Sequence, residues 1–340
     1  MNILDIYMQL AIDKAWQFQG LTYPNPAVGA VVTHNGKVVS IEAHQMAGTS
    51  HAEVLALVEA YKTISSKDIS FDKFDANKAH KFLKSIPKGF FKECDIFVTL
   101  EPCNHYGKTP SCASLLENLE LNHIYIATKD KIEGHSQGAN RLKRVTIGIK
   151  EKEAKELLEP FMIWQNRAFV LFKLAQTTNG RVKTDKNSGY LSSKESLIDV
   201  HKMRGVCSRL LIGGGTVRDD KPTLDCRFSN QKAPDIYIYS KKRDFQDKTP
   251  LFSIKDRTVE IGDNLSFLNK PSFIIVEGAE GMQKALKNMI DWYLIYQTPT
   301  ISPNQLSYNL NIDLEFLHIE KLNRDIKIWN RVKKINEESI

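Results

Sequence analysis

The sequence predicts an α/β protein built from two domains. Its 340 residues are more than a single hydrophobic core usually serves. Apolar runs of strand length alternate with helix-period patterns along most of the chain, as they do in α/β folds. A composition of 42% hydrophobic and 26% charged residues is that of a soluble globular protein. No stretch approaches the roughly 20 apolar residues of a membrane span, so we expect no membrane partner.

The first domain opens with an amphipathic helix followed by a hairpin. Apolar residues recur at helical spacing from Ile3 to Ala11, without the basic start and cleavage site of a secretion signal. Asn35-Gly36 separates apolar runs at 28–32 and 37–40, and this dipeptide suits the positive backbone angles of a two-residue turn. We therefore predict two antiparallel strands after the first helix.

The rest of the first domain alternates between helix and strand up to a boundary near Glu159-Pro160, which gives a domain of residues 1–159. Thr109-Pro110 is typical of a helix N-cap followed by proline at the first helical position, which would place Cys112 in a first helical turn. The other predicted elements are a helix from His51, strands at 96–99 and 123–128, and a helix at 151–158.

The second domain, residues 160–340, shows the same alternation of strands and helices. Strand-like apolar runs lie at 169–175, 209–212, 235–239, 272–276 and 292–296, and helical patterns lie at 194–203 and 281–289. This order of elements predicts a second α/β domain.

A lysine-rich insertion, residues 62–93, carries much of the net charge of +7. Eight lysines stand against three aspartates between residues 62 and 92, and we interpret the segment as a solvated surface insertion. Positive charge concentrates anionic partners, and phosphorylated metabolites satisfy it as well as nucleic acid does. Charge alone leaves both classes of partner open.

Four residues carry the strongest chemical signal in the chain. His51, Cys103 and Cys112 can hold a tetrahedral zinc ion with three protein ligands, while Glu53 shuttles protons without binding the metal. Hydrolytic zinc deaminases use this ligand set and glutamate. Five cysteines without a secretion signal indicate reduced thiols and a cytoplasmic location. A structural zinc would need a fourth protein ligand, and we expect the nearby Cys94 to be buried instead.

The spacing of His51 and Glu53 sets a geometric condition. Residues two apart on a regular helix point to nearly opposite sides, so the two side chains share one cavity only if His51 lies at an irregular helix start. Cys112 is also predicted at a helix start, where partial positive charge favours thiolate over thiol.

Residues 24–29 (PNPAVG), 51–53 (HAE) and 99–112 (TLEPCNHYGKTPSC) resemble the N-terminal half of the bacterial RibD family of riboflavin biosynthesis proteins. The cysteines are nine residues apart here, whereas generic nucleoside and tRNA deaminases place them three apart. The resemblance implies a three-layer, cytidine-deaminase-like domain with zinc on His51, Cys103 and Cys112 and proton transfer by Glu53. It also implies that the pyrimidine ring and ribose phosphate are held by Asn25, His44, His105 and Lys108.

Residues 173–181, 201–204, 213–224 and 276–279 resemble the C-terminal reductase half of the same family. This resemblance implies a fold like that of dihydrofolate reductase and an NADPH-dependent reduction of the ribosyl group. The implied cofactor contacts are Ala175, Tyr190, Ser192, Thr216, Asp220, Gly278, Ala279 and Gly281. The implied substrate contacts are Lys173, Ser188, Arg204, Leu224, Arg227 and Glu277.

Elementary chemistry gives this second site modest independent support. Three consecutive glycines, 213–215, follow an apolar strand and let backbone amides approach a phosphate, although such a run is more often a plain turn. The guanidinium groups of Arg204 and Arg227 can bind ribose phosphate oxygens bidentately. The family usually has Ser, Asp and Trp where this chain has Thr177, Asn179 and Tyr190, and a small residue, Pro or Thr where it has Glu280-Gly281.

Together these motifs predict a bifunctional enzyme that deaminates diaminohydroxyphosphoribosylaminopyrimidine and then reduces the product to its ribityl form. Zinc and NADPH are the expected cofactors. We expect a phosphorylated pyrimidine substrate and no nucleic-acid partner, and a homo-oligomer is a possible assembly. Three alternatives stay open: a deaminase with a degenerate reductase domain, a nucleic-acid editing deaminase that uses the insertion as its electrostatic footprint, and a non-catalytic zinc module.

Overall fold

The computed structural model describes residues 2–132, 136–184, 190–246, 248–308 and 310–333. The chain divides into two compact units, Met1–Phe161 and Met162–Ile340. The division falls inside a helix, Glu151–Trp164, which continues six residues beyond its predicted end at 158 and contains Pro160.

The first unit is a five-stranded mixed sheet with helices on both faces. Its sheet order is β2-β1-β3-β4-β5, in which β1 is antiparallel to β2 and β3, and β3, β4 and β5 are parallel. The elements are α1 (Ile3–Trp16), β1 (Gly29–His34), β2 (Lys37–Ala43), α2 (Ala52–Ser65), α3 (Ala76–Ser85), β3 (Cys94–Leu100), α4 (Cys112–Leu116), β4 (His123–Thr128), β5 (Val145–Ile147) and α5 (Glu151–Trp164).

Alternating side chains divide this sheet into two packed faces. On one face α1 lies so close to β1 that a Cβ on Gly29 would be 1.9 Å from the Ala11 carbonyl oxygen, so glycine is required there. Tyr7 of α1 also packs on Phe97 of β3, with ring centroids 5.1 Å apart. The other face buries residues such as Val32 together with α2, α3 and α4. This helix, sheet, helix arrangement confirms the predicted three-layer fold.

The predicted hairpin is present, and its turn has the expected backbone angles. β1 and β2 pair from Gly29 with Ala43 to His34 with Lys37. Asn35 and Gly36 have φ values of 50° and 74°, which a two-residue turn of this type requires.

The insertion is not the solvated surface segment that we predicted. Within it, α3 buries Ala79, His80 and Leu83, and Phe91 is 1% exposed in the same hydrophobic core as α2. Its charge pattern was misleading because most of its lysines lie on the exposed side of α3 and its flanking turns, while apolar residues at helical spacing face the core. Lys73 points inward and pairs with carboxylates.

The second unit is an eight-stranded sheet of order β12-β13-β11-β6-β10-β7-β8-β9. Six neighbouring strands from β11 to β9 are parallel, and β13 is antiparallel to β11 and β12. The elements are β6 (Ala168–Thr177), α6 (Lys194–Val206), β7 (Arg209–Gly213), α7 (Gly214–Asp220), β8 (Ile236–Tyr239), β9 (Val259–Gly262), β10 (Ser272–Glu277), α8 (Glu280–Ala285), β11 (Trp292–Thr298), β12 (Leu314–Leu322) and β13 (Asp325–Val332).

All five strands predicted in this unit are present, but three further strands were missed. β9, β12 and β13 mix charged with apolar residues, and edge strand β12 leaves Phe316 and Ile319 exposed, so no continuous apolar run announces them. The predicted helix at 281–289 ends early, because α8 stops at Ala285. Within the described parts of the chain, no helix has the length and hydropathy needed to cross a membrane.

Candidate functional site

The three predicted metal ligands converge in the first unit from three different elements. His51 is the N-cap of α2, with extended backbone angles of φ −73° and ψ 165°, so the predicted irregular helix start is confirmed. Cys103 follows the end of β3, and Cys112 is the first residue of α4. Two of the three ligands therefore lie at helix starts, where backbone N–H groups favour negative charge.

The distances between these ligand atoms fit a zinc ion. His51 Nδ1 lies 3.7 Å from Cys103 Sγ and 3.4 Å from Cys112 Sγ, and all three ligand atoms lie within 4.8 Å of one another. Bonds of about 2.3 Å to sulfur and about 2.1 Å to nitrogen at a tetrahedral angle would separate the two atoms by about 3.6 Å. Among the described residues no fourth His, Cys, Asp or Glu joins the group. Such a site has an open fourth position, as catalytic zinc sites do.

The pKa values of the two thiols shift in opposite directions. The Cys112 thiol donates a hydrogen bond that lowers the pKa of Cys103 to about 4, and His51 acts in the same direction. The same hydrogen bond and full burial raise the pKa of Cys112. Cys103 is therefore a thiolate at neutral pH, which is the form that binds zinc.

Thr109 has a different role from the one we predicted. The helix N-cap is Ser111, which accepts a hydrogen bond from the Ser114 amide, so the N-cap assignment at Thr109 was wrong. Thr109 is buried, and its Oγ1 lies 3.1 Å from His51 Nε2. Metal binding through Nδ1 leaves the proton on Nε2, which then donates to Thr109. Hydrogen bonds of this kind fix the tautomer and ring orientation of a metal-binding histidine.

Glu53 lies in the first turn of α2, 4% exposed, close to the metal ligands. Burial raises the pKa of Glu53, and Cys103 adds to this effect against the opposing charge of His51. A carboxyl group whose pKa is shifted upwards toward neutrality is suited to accept and return a proton.

Asn25 and His44 lie together beside the metal site. His44 is 2% exposed and packs edge-on against His51, with ring centroids 5.3 Å apart. Its Nε2 lies 3.1 Å from Asn25 Nδ2, and its Nδ1 lies 3.1 Å from the Ser50 carbonyl oxygen. Burial, together with His51, lowers the pKa of His44 to about 4. His44 is therefore neutral at physiological pH.

The loop between the two cysteines carries the other predicted substrate contacts of this unit. His105 is half-buried and Lys108 is exposed, so the lysine charge faces solvent at the rim of the site. Tyr106 between them is 73% exposed and donates a hydrogen bond to Asn77 of α3 over 3.3 Å.

The second unit places Lys173, Arg204 and Glu277 in one ion-pair cluster. Arg204 donates to both carboxylate oxygens of Glu277, from Nε over 2.7 Å and from Nη2 over 2.8 Å, and Lys173 Nζ lies 3.4 Å from Glu277 Oε2. Burial alone would raise the pKa of Glu277, but Arg204 and Lys173 outweigh it and lower the pKa to about 2. Arg204 is 9% exposed, and its Nε and Nη2 groups already bind this carboxylate. It therefore has fewer N–H groups available for a phosphate than we predicted.

Arg227 keeps the phosphate-binding capacity that Arg204 largely lacks. Its side chain is 46% exposed and only its Nε is engaged among the described contacts, donating to Asp225 over 2.9 Å. Nearby, Leu224 is buried with a φ of 53°, an unusual angle for this residue. Arg257 holds that backbone by donating to the Leu224 carbonyl over 2.8 Å. Sequence inspection missed Asp225, although it lies only two residues from Arg227, and it missed Arg257, which acts on a backbone carbonyl 33 positions away.

The glycine run is a junction between strand and helix rather than a loop. β7 ends at Gly213 and α7 begins at Gly214, so the free amides of the first turn of α7 lie at the carboxyl edge of the parallel sheet. A Cβ on Gly278, at the end of neighbouring β10, would lie 3.7 Å from Thr216 Oγ1. The loops after two adjacent strands therefore meet, which is where parallel sheets bind ligands.

The remaining predicted cofactor residues lie on β6, α7 and α8 and in the segment before α6, while one predicted substrate contact lies outside the described residues. Ala175 is on β6, Ser192 and the 64%-exposed Tyr190 precede α6, and Asp220 ends α7. Ala279 is the N-cap of α8, and Gly281 follows in its first turn. Ser188 lies outside the described residues.

Two departures from the family pattern are accommodated locally. The Asn179 amide donates to the Ser302 carbonyl over 2.9 Å, and its Oδ1 accepts from Thr177 over 2.7 Å. A carboxylate could not make the first of these hydrogen bonds. Glu280 forms an ion pair with Lys284 one turn along α8, which offsets its charge.

Two protein families match this chain, one in each half. Residues 1–128 match the cytidine and deoxycytidylate deaminase zinc-binding region, and residues 168–327 match the RibD C-terminal domain. The class of protein is therefore a deaminase-type zinc domain joined to a RibD-type C-terminal domain, which confirms the predicted fold class.

Curated relatives of this chain include riboflavin biosynthesis proteins named RibD. The riboflavin biosynthesis protein RibD of Aquifex aeolicus is 36% identical over 230 residues, which cover 65% of this chain and 57% of the relative. RibD of Mycobacterium tuberculosis is 28% identical over 317 residues, which cover 88% of this chain and 86% of the relative. The alignment with Bacillus amyloliquefaciens RibD covers 55% of that protein, so this chain spans little more than half the length of the Aquifex and Bacillus relatives. The chain belongs to the RibD family of riboflavin biosynthesis proteins.

Solved structures share this fold over nearly the whole length of the chain. A diaminohydroxyphosphoribosylaminopyrimidine deaminase/5-amino-6-(5-phosphoribosylamino)uracil reductase from Thermotoga maritima has a TM-score of 0.64 at 23% identity, covering 97% of this chain and 99% of that one. Acinetobacter baumannii RibD has a TM-score of 0.63 at 21% identity, covering 98% and 99%.

Proposed function

We propose that this chain is a bifunctional riboflavin-pathway enzyme. Its first unit deaminates diaminohydroxyphosphoribosylaminopyrimidine, and its second unit reduces the ribosyl group of 5-amino-6-(5-phosphoribosylamino)uracil with NADPH. The observation that carries the proposal is the three-ligand centre of His51, Cys103 and Cys112 with Glu53 buried beside it. We further propose a cytoplasmic enzyme that acts on a small phosphorylated pyrimidine rather than on nucleic acid.

The deaminase residues have separate roles in one hydrolysis reaction. His51, Cys103 and Cys112 would hold a zinc ion, which would supply the Lewis acid that makes water nucleophilic at neutral pH. Glu53 accepts one proton from the attacking water and passes it to the ring nitrogen. It then carries the second proton from the new hydroxyl group to the amino group, which leaves as ammonia while the carbonyl forms. Asn25 holds the ring edge at the mouth of the site. Lys108, exposed at the rim, offers a point charge to the ribose phosphate.

The reductase residues position the sugar against the nicotinamide. Bound NADPH would supply the hydride for reduction at the ribosyl C1′, and the C1′–O4′ bond would break with O4′ taking a proton from solvent, which leaves a ribityl chain. The first-turn amides of α7 and Thr216 bind the cofactor phosphates. Arg227 binds the substrate phosphate, and Glu277, held as a carboxylate by Arg204 and Lys173, accepts hydrogen bonds from sugar hydroxyls.

A degenerate reductase domain is the weaker alternative. The departures at Asn179 and Glu280 motivated it, and both have local partners that satisfy their polar groups. The ion-pair cluster at Glu277 is complete, and the strand-to-helix junction for phosphates is intact.

The test measures ammonia release and NADPH oxidation together on purified, zinc-loaded protein given the diaminopyrimidine substrate. We expect both signals from the wild-type protein and neither from Glu53→Ala. Supplying the deaminated intermediate to Glu53→Ala should restore NADPH oxidation. Ammonia without NADPH oxidation in the wild type would instead support a deaminase alone, and stoichiometric zinc without either signal would contradict the proposal.

A further inference from the structure

The lysine-rich insertion accepts two hydrogen bonds from Ser50, the residue that precedes the metal ligand His51. Ser50, which is fully buried, donates from its amide to the Phe74 carbonyl over 3.1 Å and from its Oγ to the Lys73 carbonyl over 2.7 Å. Both acceptors are backbone atoms of the insertion. His51 follows Ser50 directly, so the insertion limits where the backbone of this ligand can move.

The insertion segment that holds Ser50 is itself anchored. Lys73 Nζ pairs with Glu42 of β2 over 2.8 Å and with Glu59 of α2 over 2.9 Å. These carboxylates belong to two elements of the first unit, so the ion pairs fix the position of the Lys73 backbone. A freely solvated insertion would have no such inward cation.

Ser50 also transmits this constraint to the ring of His44. A carbonyl oxygen can only accept a hydrogen bond, so His44 Nδ1, 3.1 Å from the Ser50 oxygen, must carry the ring proton. Among the described contacts no ion pair joins His44 to a carboxylate that would favour the charged ring. A neutral imidazole ring carries only one N–H group. His44 Nε2 is therefore an acceptor.

This tautomer decides which way the Asn25 amide faces. Because His44 Nε2 accepts, the Asn25 atom 3.1 Å away must be Nδ2 rather than Oδ1. Asn25 Oδ1 has no described hydrogen-bond donor and is left as the acceptor. An acceptor at this position selects a ligand with an N–H group, such as the amino or ring N–H of an aminopyrimidine.

We propose that the insertion is a positioning element of the metal site, acting through Ser50 on His51 and, by way of His44, on the Asn25 amide. In this arrangement Ser50 and His44 are positioning residues, and Asn25 is the group that touches the substrate. The aminopyrimidine part of this inference rests on the proposed deaminase function.

The first test is the zinc dissociation constant, measured on the full chain by chelator competition. Lys73→Met keeps the stem of the side chain but removes its ion pairs, and Lys81→Met on the exposed side of α3 is the matched control. We expect Ser50→Ala and Lys73→Met each to weaken zinc binding about tenfold, as loss of outer support does at other metal sites. Saturating zinc should restore one ion per chain in every variant, which shows that the fold is retained. Affinities within twofold of wild type for both variants would overturn the proposal.

The second test reads the tautomer of His44 directly and does not depend on turnover. Nitrogen-15 NMR of histidine-labelled, zinc-loaded protein, assigned with His44→Phe, should show a protonated Nδ1 and an unprotonated Nε2. A protonated Nε2 would overturn the inferred orientation of Asn25.

Kinetics then separate positioning from direct contact. If His44 acts through Asn25, His44→Phe should lower kcat/KM for ammonia release at least tenfold in the wild-type background and less than threefold in the Asn25→Ala background. Equal losses in both backgrounds would mean that His44 touches the substrate itself and would overturn its positioning role. A wild-type protein that released no ammonia would refute the proposed function, while the zinc affinities and the tautomer would still decide the positioning role.

Discussion

The hydrogen bond between His51 and Thr109 shows how one side chain outside the ligand set can control the metal site. His51 Nδ1 faces the two sulfurs, and Thr109 Oγ1 lies 3.1 Å from Nε2. Thr109 therefore holds the tautomer that exposes the lone pair of Nδ1 to zinc.

Replacing Thr109 with valine should weaken zinc binding by about 10-fold to 100-fold, because the isosteric side chain cannot accept a hydrogen bond from the Nε2–H group of His51. Chelator competition on the full chain measures this change. Thr109→Ser keeps the hydroxyl and should bind zinc within a few-fold of wild type. If both variants bound zinc equally, the hydroxyl would have no role in holding the ring.

Glu277 ties the stability of the second unit to pH. Its carboxyl group has an unfolded pKa of 4.5 and a folded pKa of about 2, so the unfolded chain binds the proton first. The stabilisation is fully present above the unfolded pKa and is lost as pH falls toward the folded value. A shift of this size corresponds to about 3 kcal/mol, since each pKa unit is about 1.4 kcal/mol.

Between pH 6 and pH 3 this group alone should lower the free energy of unfolding of the second unit by about 2 kcal/mol. Urea unfolding followed by the fluorescence of buried Trp292 and Trp329 measures the change. Glu277→Gln cannot titrate, so its pH dependence should be flatter by that amount even though its stability at pH 6 is lower. Parallel pH profiles for the two proteins would contradict the ion-pair assignment.

At the scale of elements, the insertion illustrates how charge pattern and packing can point in different directions. Its lysines suggested solvent, but α3 presents Ala76, Ala79, His80 and Leu83 to the core at spacings of three and four residues. Helix spacing of a few apolar residues within a strongly charged segment is enough to bury one face.

The packed insertion makes a direct prediction about stability. Leu83→Ala should lower the free energy of unfolding of the first unit by about 2–5 kcal/mol, because it removes a fully buried side chain and leaves a cavity. Lys81→Ala, on the exposed side of the same helix, should change it by less than about 0.5 kcal/mol. Chemical unfolding of zinc-loaded protein measures both. If both substitutions changed the free energy of unfolding by the same small amount, the insertion would be a solvated segment that does not pack on the core.

At the scale of the whole molecule, the zinc ligands and the Arg204–Glu277 cluster belong to different compact units. Removing zinc with a chelator should therefore abolish ammonia release while NADPH oxidation, assayed with the deaminated intermediate, stays within about twofold. Returning zinc should restore deamination. Arg227→Ala should have the converse effect, lowering reduction and sparing ammonia release. A parallel loss of both reactions in either experiment would mean that the units do not work independently.

Much of this protein could be predicted from local sequence. The predicted strands of the two sheets, the hairpin at Asn35-Gly36 and the helix start at His51 depend on patterns within a few neighbouring residues, and the structure confirms them. The same kind of pattern did not reveal β5, β9, β12 and β13. The identities of the ligands His51, Cys103 and Cys112 and of Glu53 follow from their chemistry and order in the chain.

What only the tertiary structure decided depends on residues far apart in sequence. Thr109 meets His51 across 58 positions, Ser50 meets Lys73 across 23, and Arg204 meets Glu277 across 73. A hydrogen bond of this kind has no local signature, since its partners become neighbours only when strands and helices pack. The sequence by itself therefore determined the family, the fold class and the candidate metal-binding residues. The packed chain decided which side chains hold those residues in place and which charges are already paired.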